Sequence, residues 1–313
     1  MIKQGVISLG EAFVDYVSVD SKNTKFQPFL GGATVNVAAG TSRLGIPTYY
    51  LCKLGNDDIS HFVEQELIKE GINTGFSVHT ASKKICGVYV HTNEDGERFF
   101  YSYLNETPDE VLTADELRKQ MFEQTKVFYF GSGTLFHDKA KFTTETALKY
   151  ARNAGNIIAF DTNIRLKRWA SEEICRQTIT SFIKKADIVK IAEDELYFLT
   201  ETNTLEVALE KLSFVRKIPF LFITMGGNGA LAVRDGKMVF EPAPIVNAVD
   251  TTGAGDAFMS ALLYCFHEQG IPRDQAQLTK YLRFANQVGA AATTKIGSLT
   301  AKLDVDELKK QFE

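Results

Sequence analysis

Asp250-Thr251-Thr252-Gly253-Ala254-Gly255-Asp256 is a glycine-containing segment between two carboxylates, and an apolar run follows it directly. Apolar side chains recur in that run at helical spacing, at Phe258, Ala261, Leu262 and Cys265. This pattern predicts a buried helix that begins at the glycines. The first N–H groups of a helix have no partner within it, and with the positive end of the helix dipole they form an anion-binding site.

The carboxylate of Asp256 is unexpected at such a site, because it repels the phosphate that the N–H groups attract. One interpretation is that Asp256 acts as a general base and removes a proton from a hydroxyl group that attacks a phosphorus atom. The other is that Asp250 or Asp256 caps the helix while the glycines make the turn before it. These seven residues leave both interpretations open.

The composition of the 313 residues is that of a globular protein, with 44% hydrophobic and 24% charged residues. The length suits one large α/β domain or two smaller ones. A net charge of −4 gives no broad basic surface, so we expect no nucleic-acid partner. No apolar run approaches the ~20 residues that cross a membrane, and residues 1–5 are typical of a strand edge rather than a signal peptide. We therefore expect a cytoplasmic protein with reduced cysteines.

Short apolar runs alternate with helical patterns through most of the chain. The runs predict strands at residues 6–10, 48–54, 127–130, 157–160, 188–190 and 220–223, and the helical patterns lie at 35–44, 59–70, 142–153 and 172–185. Continuously apolar strands that alternate with helices indicate a parallel sheet with helices on both faces, which is an α/β fold.

Residues 13–29 and 84–104 break this rhythm, because apolar and polar residues alternate with a period of two. Asn93-Glu94-Asp95-Gly96 supplies a hairpin turn within the second region. We expect a small, partly antiparallel sheet separate from the main one. It would form a lid from two insertions, at about 13–30 and 84–106, within a single domain.

Polar residues follow several of the predicted strands, where parallel sheets bind their ligands. They occur in the segments Asp161–Arg165, Glu193–Glu195 and Thr224–Gly229. The groups supplied are Asn, Arg, Glu and glycine amides, which suit phosphate, magnesium and hydroxyl groups.

Four motifs together resemble those of the ribokinase-like (PfkB) sugar kinases, and the chain is most similar to the fructokinases among them. The motifs are Gly31–Ala38, Gly96–Phe100, Asp187–Thr200 and Asp250–Asp256. The first and the last resemble the two signatures of the family, in the correct order, and the resemblance spans nearly the whole chain.

The resemblance implies a ribokinase-like three-layer α/β sandwich over residues 1–313, with a mostly parallel central sheet and a β-sheet lid. It also implies ATP and Mg²⁺ as cofactors, and transfer of the γ-phosphate to a primary hydroxyl of a ketose, D-fructose giving fructose 6-phosphate. A 2-keto-3-deoxygluconate kinase and a non-catalytic sugar- or nucleotide-binding regulator are the alternatives.

The resemblance also implies a role for individual residues. Asp256 is the base, and the anion hole is formed by Gly253, Ala254 and Gly255. The implied sugar contacts are Asp15, Gly31, Gly32, Asn36, Arg98 and Arg165. The implied nucleotide-site residues are Asn163, Lys190, Glu195, Thr224, Gly226, Gly229 and Asn286. Glu195 would organise Mg²⁺ through water, and Asp250, with Gly297 and Ser298, would lie near a monovalent cation such as K⁺.

Simpler interpretations remain for four of these side chains. Asn36 could cap the helix beginning near it, and Asp15 could point outward to water rather than inward to sugar. Arg165 binds phosphate or a substrate carboxylate, or else forms a surface salt bridge. Arg98 faces the sugar or balances its neighbour Glu97.

Three departures from the family pattern concern the sugar more than the reaction. Leu104 follows Tyr103 where many fructokinases carry arginine, so a cationic sugar contact is missing or comes from Arg98; this argues against an acidic sugar. Ala192 replaces a frequent Asn or Ser, and Thr162 replaces a proline. The exposed edges and apolar face of the predicted lid indicate a homodimer formed through it.

Overall fold

The structure is a computed structural model that describes residues 3–93, 98–212, 218–297 and 310. Its strands are β1 (Val6–Leu9), β2 (Phe13–Ser18), β3 (Phe26–Gly31), β4 (Thr48–Leu51), β5 (Lys53–Leu54), β6 (Ile72–Asn73), β7 (Val78–His79), β8 (Cys86–Thr92), β9 (Arg98–Leu104), β10 (Val127–Gly131), β11 (Ile157–Asp161), β12 (Ile188–Ala192), β13 (Phe220–Thr224), β14 (Ala230–Arg234) and β15 (Lys237–Glu241). Its helices are α1 (Ala33–Arg43), α2 (Asp58–Lys69), α3 (Lys119–Gln124), α4 (Asp138–Ala154), α5 (Glu172–Ile183), α6 (Glu193–Thr200), α7 (Leu205–Lys211), α8 (Ala254–Glu268) and α9 (Gln275–Ala292).

The main sheet has nine strands in the order β15-β14-β13-β12-β11-β10-β1-β4-β6. The pairs from β13 to β6 are parallel, whereas β14 and β15 extend one edge antiparallel. Successive side chains of a strand point to opposite faces, so Phe128 and Phe130 pack into one core and Val127 and Tyr129 into the other. Helices α3 to α7 cover the first face, and α1, α8 and α9 cover the second. The predicted three-layer α/β fold is confirmed.

A second sheet of four strands has the order β3-β2-β8-β9. Its central pair, β2 with β8, is parallel, and the two outer pairs are antiparallel, with an irregularity between Tyr89 and Val90. The predicted small and partly antiparallel sheet is therefore present. The turn expected at residues 94–96 lies outside the described residues.

Close helix packing positions the two signature motifs against each other. A side chain at Gly40 of α1 would meet Ser260 Oγ of α8 at 2.5 Å, so glycine is required where these helices cross. The N-termini of α1 and α8 consequently meet at the same edge of the main sheet. In the part of the chain that the structure describes, no helix is both long and apolar enough to span a bilayer.

Candidate active site

A single cavity brings together seven of the predicted site residues. It lies between the ends of β1, β10 and β11, the first turns of α1 and α8, and the second sheet. The predicted residues that line it are Asp15, Gly32, Asn36, Asn163, Arg165, Gly253 and Asp256. The two signature motifs, which are more than 200 residues apart in sequence, therefore contribute to one site.

Asp256 lies in the first turn of α8 and is buried. The Nδ2 of Asn36 donates a hydrogen bond of 2.8 Å to its Oδ2. Burial raises the pKa of Asp256, and the Asn36 hydrogen bond and the charges of Lys190 and Arg165 oppose that rise. One carboxylate oxygen is thus held in place by the chain, which orients the carboxylate at the edge of the cavity.

Neither helix is capped by the side chains that the sequence suggested. The residue before α8 is Gly253, at φ 81°, and that before α1 is Gly32, at φ 111°. No side chain donates or accepts a capping hydrogen bond at either position. The interpretations of Asp250 or Asp256, and of Asn36, as helix caps are therefore wrong. Glycine is needed at both turns because other residues rarely adopt positive φ.

The predicted anion hole consists of the N–H groups that begin α8. The N–H of Ala254 donates to the Thr251 carbonyl at 3.2 Å, which leaves it less available to a ligand. Among the described residues, the N–H groups of Gly253 and Gly255 have no such acceptor. The N–H groups best placed for the predicted anion hole are therefore those of Gly253 and Gly255, and their contact with a phosphoryl group stays a prediction.

A buried lysine lies directly beneath this turn. A Cβ at Gly255 would be 2.9 Å from Lys190 Nζ, and Lys190 Nζ lies 3.2 Å from Asp161 Oδ1. Burial lowers the pKa of Lys190, but the carboxylates of Asp161, Glu195 and Asp256 outweigh it, so the net shift is upward. The ammonium therefore stays charged and adds a positive field to the anion site.

Glu195 fixes the loop that follows β11. Its Oε2 accepts hydrogen bonds from Thr162 Oγ1 at 2.6 Å and from the Ala192 N–H at 3.0 Å, and its Oε1 accepts from the Ile164 N–H. These bonds hold Asn163 and Arg165 at the cavity, and Asn163 adopts φ 30° there. Three bonds leave room for one water on Glu195, and its predicted contact with Mg²⁺ through that water stays a prediction. Within the described residues, no group of three or more His, Cys, Asp or Glu forms a metal cluster.

Asp15 points into the cavity from β2, on the sheet face that Phe13 shares. A Cβ at Gly31 would lie 2.5 Å from Asp15 Oδ2, so glycine at Gly31 makes room for this carboxylate. Burial raises the pKa of Asp15 to about 6. The carboxylate is therefore ionised at neutral pH and becomes protonated in mildly acidic solution.

The predicted contact of Asp15 with a sugar implies that the KM for that sugar rises as the pH falls through about 6, because a protonated Asp15 accepts fewer hydroxyl donors. Asp15→Asn should raise KM and remove this pH dependence, measured by initial rates between pH 5 and 8. The pKa of Asp15 in the folded protein lies above the usual value of an aspartate, so its ionisation destabilises the fold as the pH rises through about 6. The variant should therefore be more stable than the wild type at pH 7.5 and not at pH 4; a KM profile that keeps its rise would contradict the assignment.

The four residues predicted to lie along the nucleotide do not line this cavity among the described residues. Gly229, at φ 114°, packs so closely that a Cβ would meet the Glu241 carbonyl oxygen at 2.2 Å. Asn286 Nδ2 donates to the same carbonyl at 2.8 Å. Both residues thus hold the segment that follows β15, while Thr224 ends β13 and Gly226 begins the next turn. Their contact with a nucleotide stays a prediction.

Asp250 joins two loops. Its Oδ1 accepts from the Thr252 N–H at 2.9 Å, and its Oδ2 accepts from the Gly297 N–H at 2.8 Å. Ser298, predicted near the same cation, lies outside the described residues, and so does the side chain of Arg98.

Sequence reasoning missed several residues that line the cavity, above all Ser132, Gly133, Thr134, Phe136 and Arg168. The first three follow β10, so the rule that ligands bind beyond strand ends would have found them. Arg168 lies over the rings of Phe13, Tyr103 and Phe136, at 5.4, 5.7 and 4.8 Å from their centroids. Arg168 therefore places a cation beside Tyr103, while the expectation that a cationic sugar contact is missing or comes from Arg98 stays a prediction.

Comparison with known proteins places this site in a family. The pfkB family of carbohydrate kinases matches residues 3–304. Probable fructokinase-3 of Arabidopsis thaliana is 35% identical over 302 residues, covering 95% of this chain and 88% of that protein.

Two solved structures are similar over the same extent. A fructokinase with bound ATP from Xylella fastidiosa has a TM-score of 0.89 at 26% identity, covering 99% of this chain and 98% of the other. A fructokinase from Vibrio cholerae O395, bound to fructose, ADP and calcium ion, has a TM-score of 0.84 at 27% identity and covers 99% of both chains. Since the family match over residues 3–304 extends from before β1 to beyond α9, the chain belongs to the pfkB family of carbohydrate kinases.

Proposed function

We propose that this protein is an ATP-dependent sugar kinase that transfers the γ-phosphate to a primary hydroxyl of a ketose, converting D-fructose into fructose 6-phosphate. The observation that carries the proposal is the buried carboxylate of Asp256, oriented by Asn36 at the N-terminus of α8 and facing the cavity. The fructokinases similar to this chain, two of them solved with ATP or ADP, support the donor and the acceptor.

Asp256 takes the proton of the sugar hydroxyl as that oxygen forms a bond to the γ-phosphorus. The bond between the γ-phosphorus and the bridging oxygen breaks, and ADP leaves with the electron pair. The N–H groups of Gly253 and Gly255 and the dipole of α8 stabilise the charge on the transferred group. Lys190, beneath Gly255, adds to this field. Positioning and charge stabilisation are the main requirements of phosphoryl transfer.

The sugar lies between the signature glycines and the second sheet. Asp15 accepts hydrogen bonds from its hydroxyl groups, and the backbone at Gly31 and Gly32 approaches it closely. Asn36 serves both the sugar and Asp256. Arg165 is exposed at the cavity, and its charge opposes the rise in the pKa of Asp256. Its guanidinium binds the phosphate.

The remaining predicted residues serve the nucleotide and its cations. Thr224, Gly226, Gly229 and Asn286 lie along ATP, and Asn163 and Lys190 lie near its phosphates. Glu195 would hold Mg²⁺ through a water molecule, and the ion would supply positive charge that neutralises the phosphates. Asp250 contributes to a site for a monovalent cation beside the α8 turn.

The second sheet acts as a lid that excludes water from the phosphoryl group. The face of this sheet that points away from the cavity is rich in aromatic rings. Tyr16 stacks on Tyr89 at 5.2 Å, and His91 stacks on Tyr101 at 4.0 Å. Phe99 and Tyr101 are 46% and 65% exposed. We propose that a second copy of the chain covers this aromatic face and forms a homodimer.

We expect the protein to be dimeric by light scattering at micromolar concentration, and Phe99→Asp with Tyr101→Asp to give monomers. In the dimer each aspartate would be a buried charge, and its burial costs more free energy than the ring contacts that it replaces contribute. Met238→Asp is the matched control, because Met238 is 59% exposed on β15 of the main sheet. A monomeric wild type, or a double variant that stays dimeric, would refute the proposed interface.

Coupled ADP release across D-fructose, 2-keto-3-deoxygluconate, ribose, tagatose and a nucleoside tests the proposed function. We expect D-fructose to support turnover, and the nucleoside to give none, since the lid offers no distinct slot for a base. Absence of fructose-dependent ADP release would show that D-fructose is not the substrate. A non-catalytic regulator, which would release no ADP with any acceptor, is the contrary outcome for the whole proposal.

A 2-keto-3-deoxygluconate kinase is the second candidate, and one observation favours it. Arg168 places a cation against Tyr103, where the sequence suggested that a cation was missing. This cation weakens the argument against an acidic sugar.

A further inference from the structure

Arg168 is held by aromatic rings from three separate parts of the fold. Phe13 belongs to β2 and Tyr103 to β9, both in the second sheet, and Phe136 follows β10 of the main sheet. All three rings lie within 5.7 Å of the guanidinium carbon, and all line the cavity with Arg168 itself. Such contacts fix the plane of a guanidinium but do not use its N–H donors.

Those donors have no carboxylate partner within the described residues. Arg43, Arg152, Arg176, Arg234 and Arg283 each lie within 4 Å of a carboxylate, and Arg168 does not. Of the two acidic residues at this end of the cavity, Glu11 is bonded to Lys83 at 2.8 Å. Asp15 forms no ion pair with any cation that the structure describes. A guanidinium with five donors therefore faces the cavity without an acceptor from the residues that the structure describes.

Arg168 lies at the second-sheet end of the cavity, away from the reacting group. Arg165, by contrast, lies close enough to Asp256 for its charge to lower the pKa of that carboxyl group. The charge of Arg168 instead opposes the rise in the pKa of the Cys86 thiol that burial causes. Cys86 pairs with Phe13 in the second sheet. A sugar that presents its primary hydroxyl to Asp256 would thus extend its other end towards Arg168.

We propose that Arg168 is a specificity-determining residue that binds the end of the acceptor remote from the reacting hydroxyl, and that the oxygen-rich group it selects there is a carboxylate. The acceptors would then include sugar acids with a primary hydroxyl at the opposite end, beside the neutral ketose. A planar guanidinium donates two parallel hydrogen bonds to a carboxylate, which a neutral hydroxyl cannot accept as strongly. This inference rests on the proposed kinase function and names a substrate class for the same site.

The test compares kcat/KM for 2-keto-3-deoxygluconate and for D-fructose in the wild type, Arg168→Gln and Arg168→Lys. We expect turnover of both sugars by the wild type, and a fall of about 10–100-fold in the acid-to-ketose ratio in Arg168→Gln, carried mainly by KM. Arg168→Lys should recover part of the ratio, because it keeps the charge and loses the bidentate geometry. Lys167→Gln removes a neighbouring exposed cation and should leave the ratio unchanged.

Calorimetric binding of both sugars to the same proteins separates this inference from the proposed function. If no sugar is phosphorylated but the sugar acid binds and loses affinity in Arg168→Gln, the kinase function fails and the role of Arg168 stands. If fructose is phosphorylated but the ratio and the affinity for the acid do not change in Arg168→Gln, the role of Arg168 is wrong. Failure of the wild type to bind the acid overturns it equally. Circular dichroism and thermal unfolding of each variant identify any loss that comes from misfolding.

Discussion

Asp256→Asn is expected to lower kcat with D-fructose by about 10²–10⁴-fold, because the amide cannot accept the proton of the attacking hydroxyl. The variant keeps the size of the side chain and an oxygen that can accept the Asn36 hydrogen bond. KM should change far less than kcat, since the loss falls on the transition state. Steady-state ADP release with fructose varied at saturating ATP measures both constants.

Folding of Asp256→Asn should be intact, because burial already penalises the charged carboxylate and raises its pKa. Thermal unfolding at pH 7.5 checks this, with an unfolding temperature equal to or above that of the wild type. Asp194→Asn is the matched control, an exposed aspartate at the start of α6 whose loss should leave kcat unchanged. Wild-type turnover in a folded Asp256→Asn protein would show that another group acts as the base.

Lys190→Met is expected to lower the free energy of unfolding by about 3–5 kcal/mol, because it leaves the buried Asp161 carboxylate without a counter-ion. Asp161 is fully buried, its Oδ2 has no hydrogen-bond partner among the described residues, and burial raises its pKa to about 7 even with Lys190 present. Urea unfolding at pH 7.5 measures the loss. The loss should shrink as the pH falls below 7, where Asp161 becomes protonated in both proteins.

A double-mutant cycle separates the structural role of Lys190 from its electrostatic role. Asp161→Asn added to Lys190→Met should recover most of the lost stability, since residue 161 is then neutral and needs no counter-ion. It should not recover kcat, because the positive field beneath Gly255 is still absent. If the double variant regains wild-type kcat, Lys190 serves only to neutralise Asp161.

The sequence predicted the main sheet well where strands are continuously apolar, as in β10, β11 and β13. It missed β14 and β15 at the antiparallel edge. The exposed β15 alternates little and lacks a buried apolar run, so its pairing depends on β14 and not on its own pattern. The helix at Asp256 was predicted because helical periodicity is local.

The candidate site was predictable only in part. Asp256, Asn36 and Asp15 were found as separate motifs, whereas the bond between Asn36 and Asp256 joins residues 220 positions apart. Lys190 is a charged residue within the buried strand β12, which marks it as unusual, but only the fold brings it beneath Gly255. Arg168 follows β11 in a segment rich in cations, and no local pattern distinguishes it from the exposed Lys167.

Carbon-13 and phosphorus-31 NMR of the product formed from ATP and [6-¹³C]fructose tests the central claim most directly. The account predicts one new phosphate ester whose phosphorus couples to the labelled carbon, formed together with ADP, and formed about 10²–10⁴-fold more slowly with Asp256→Asn. A phosphate ester without coupling to carbon 6, or no phosphorylated sugar at all, would contradict it.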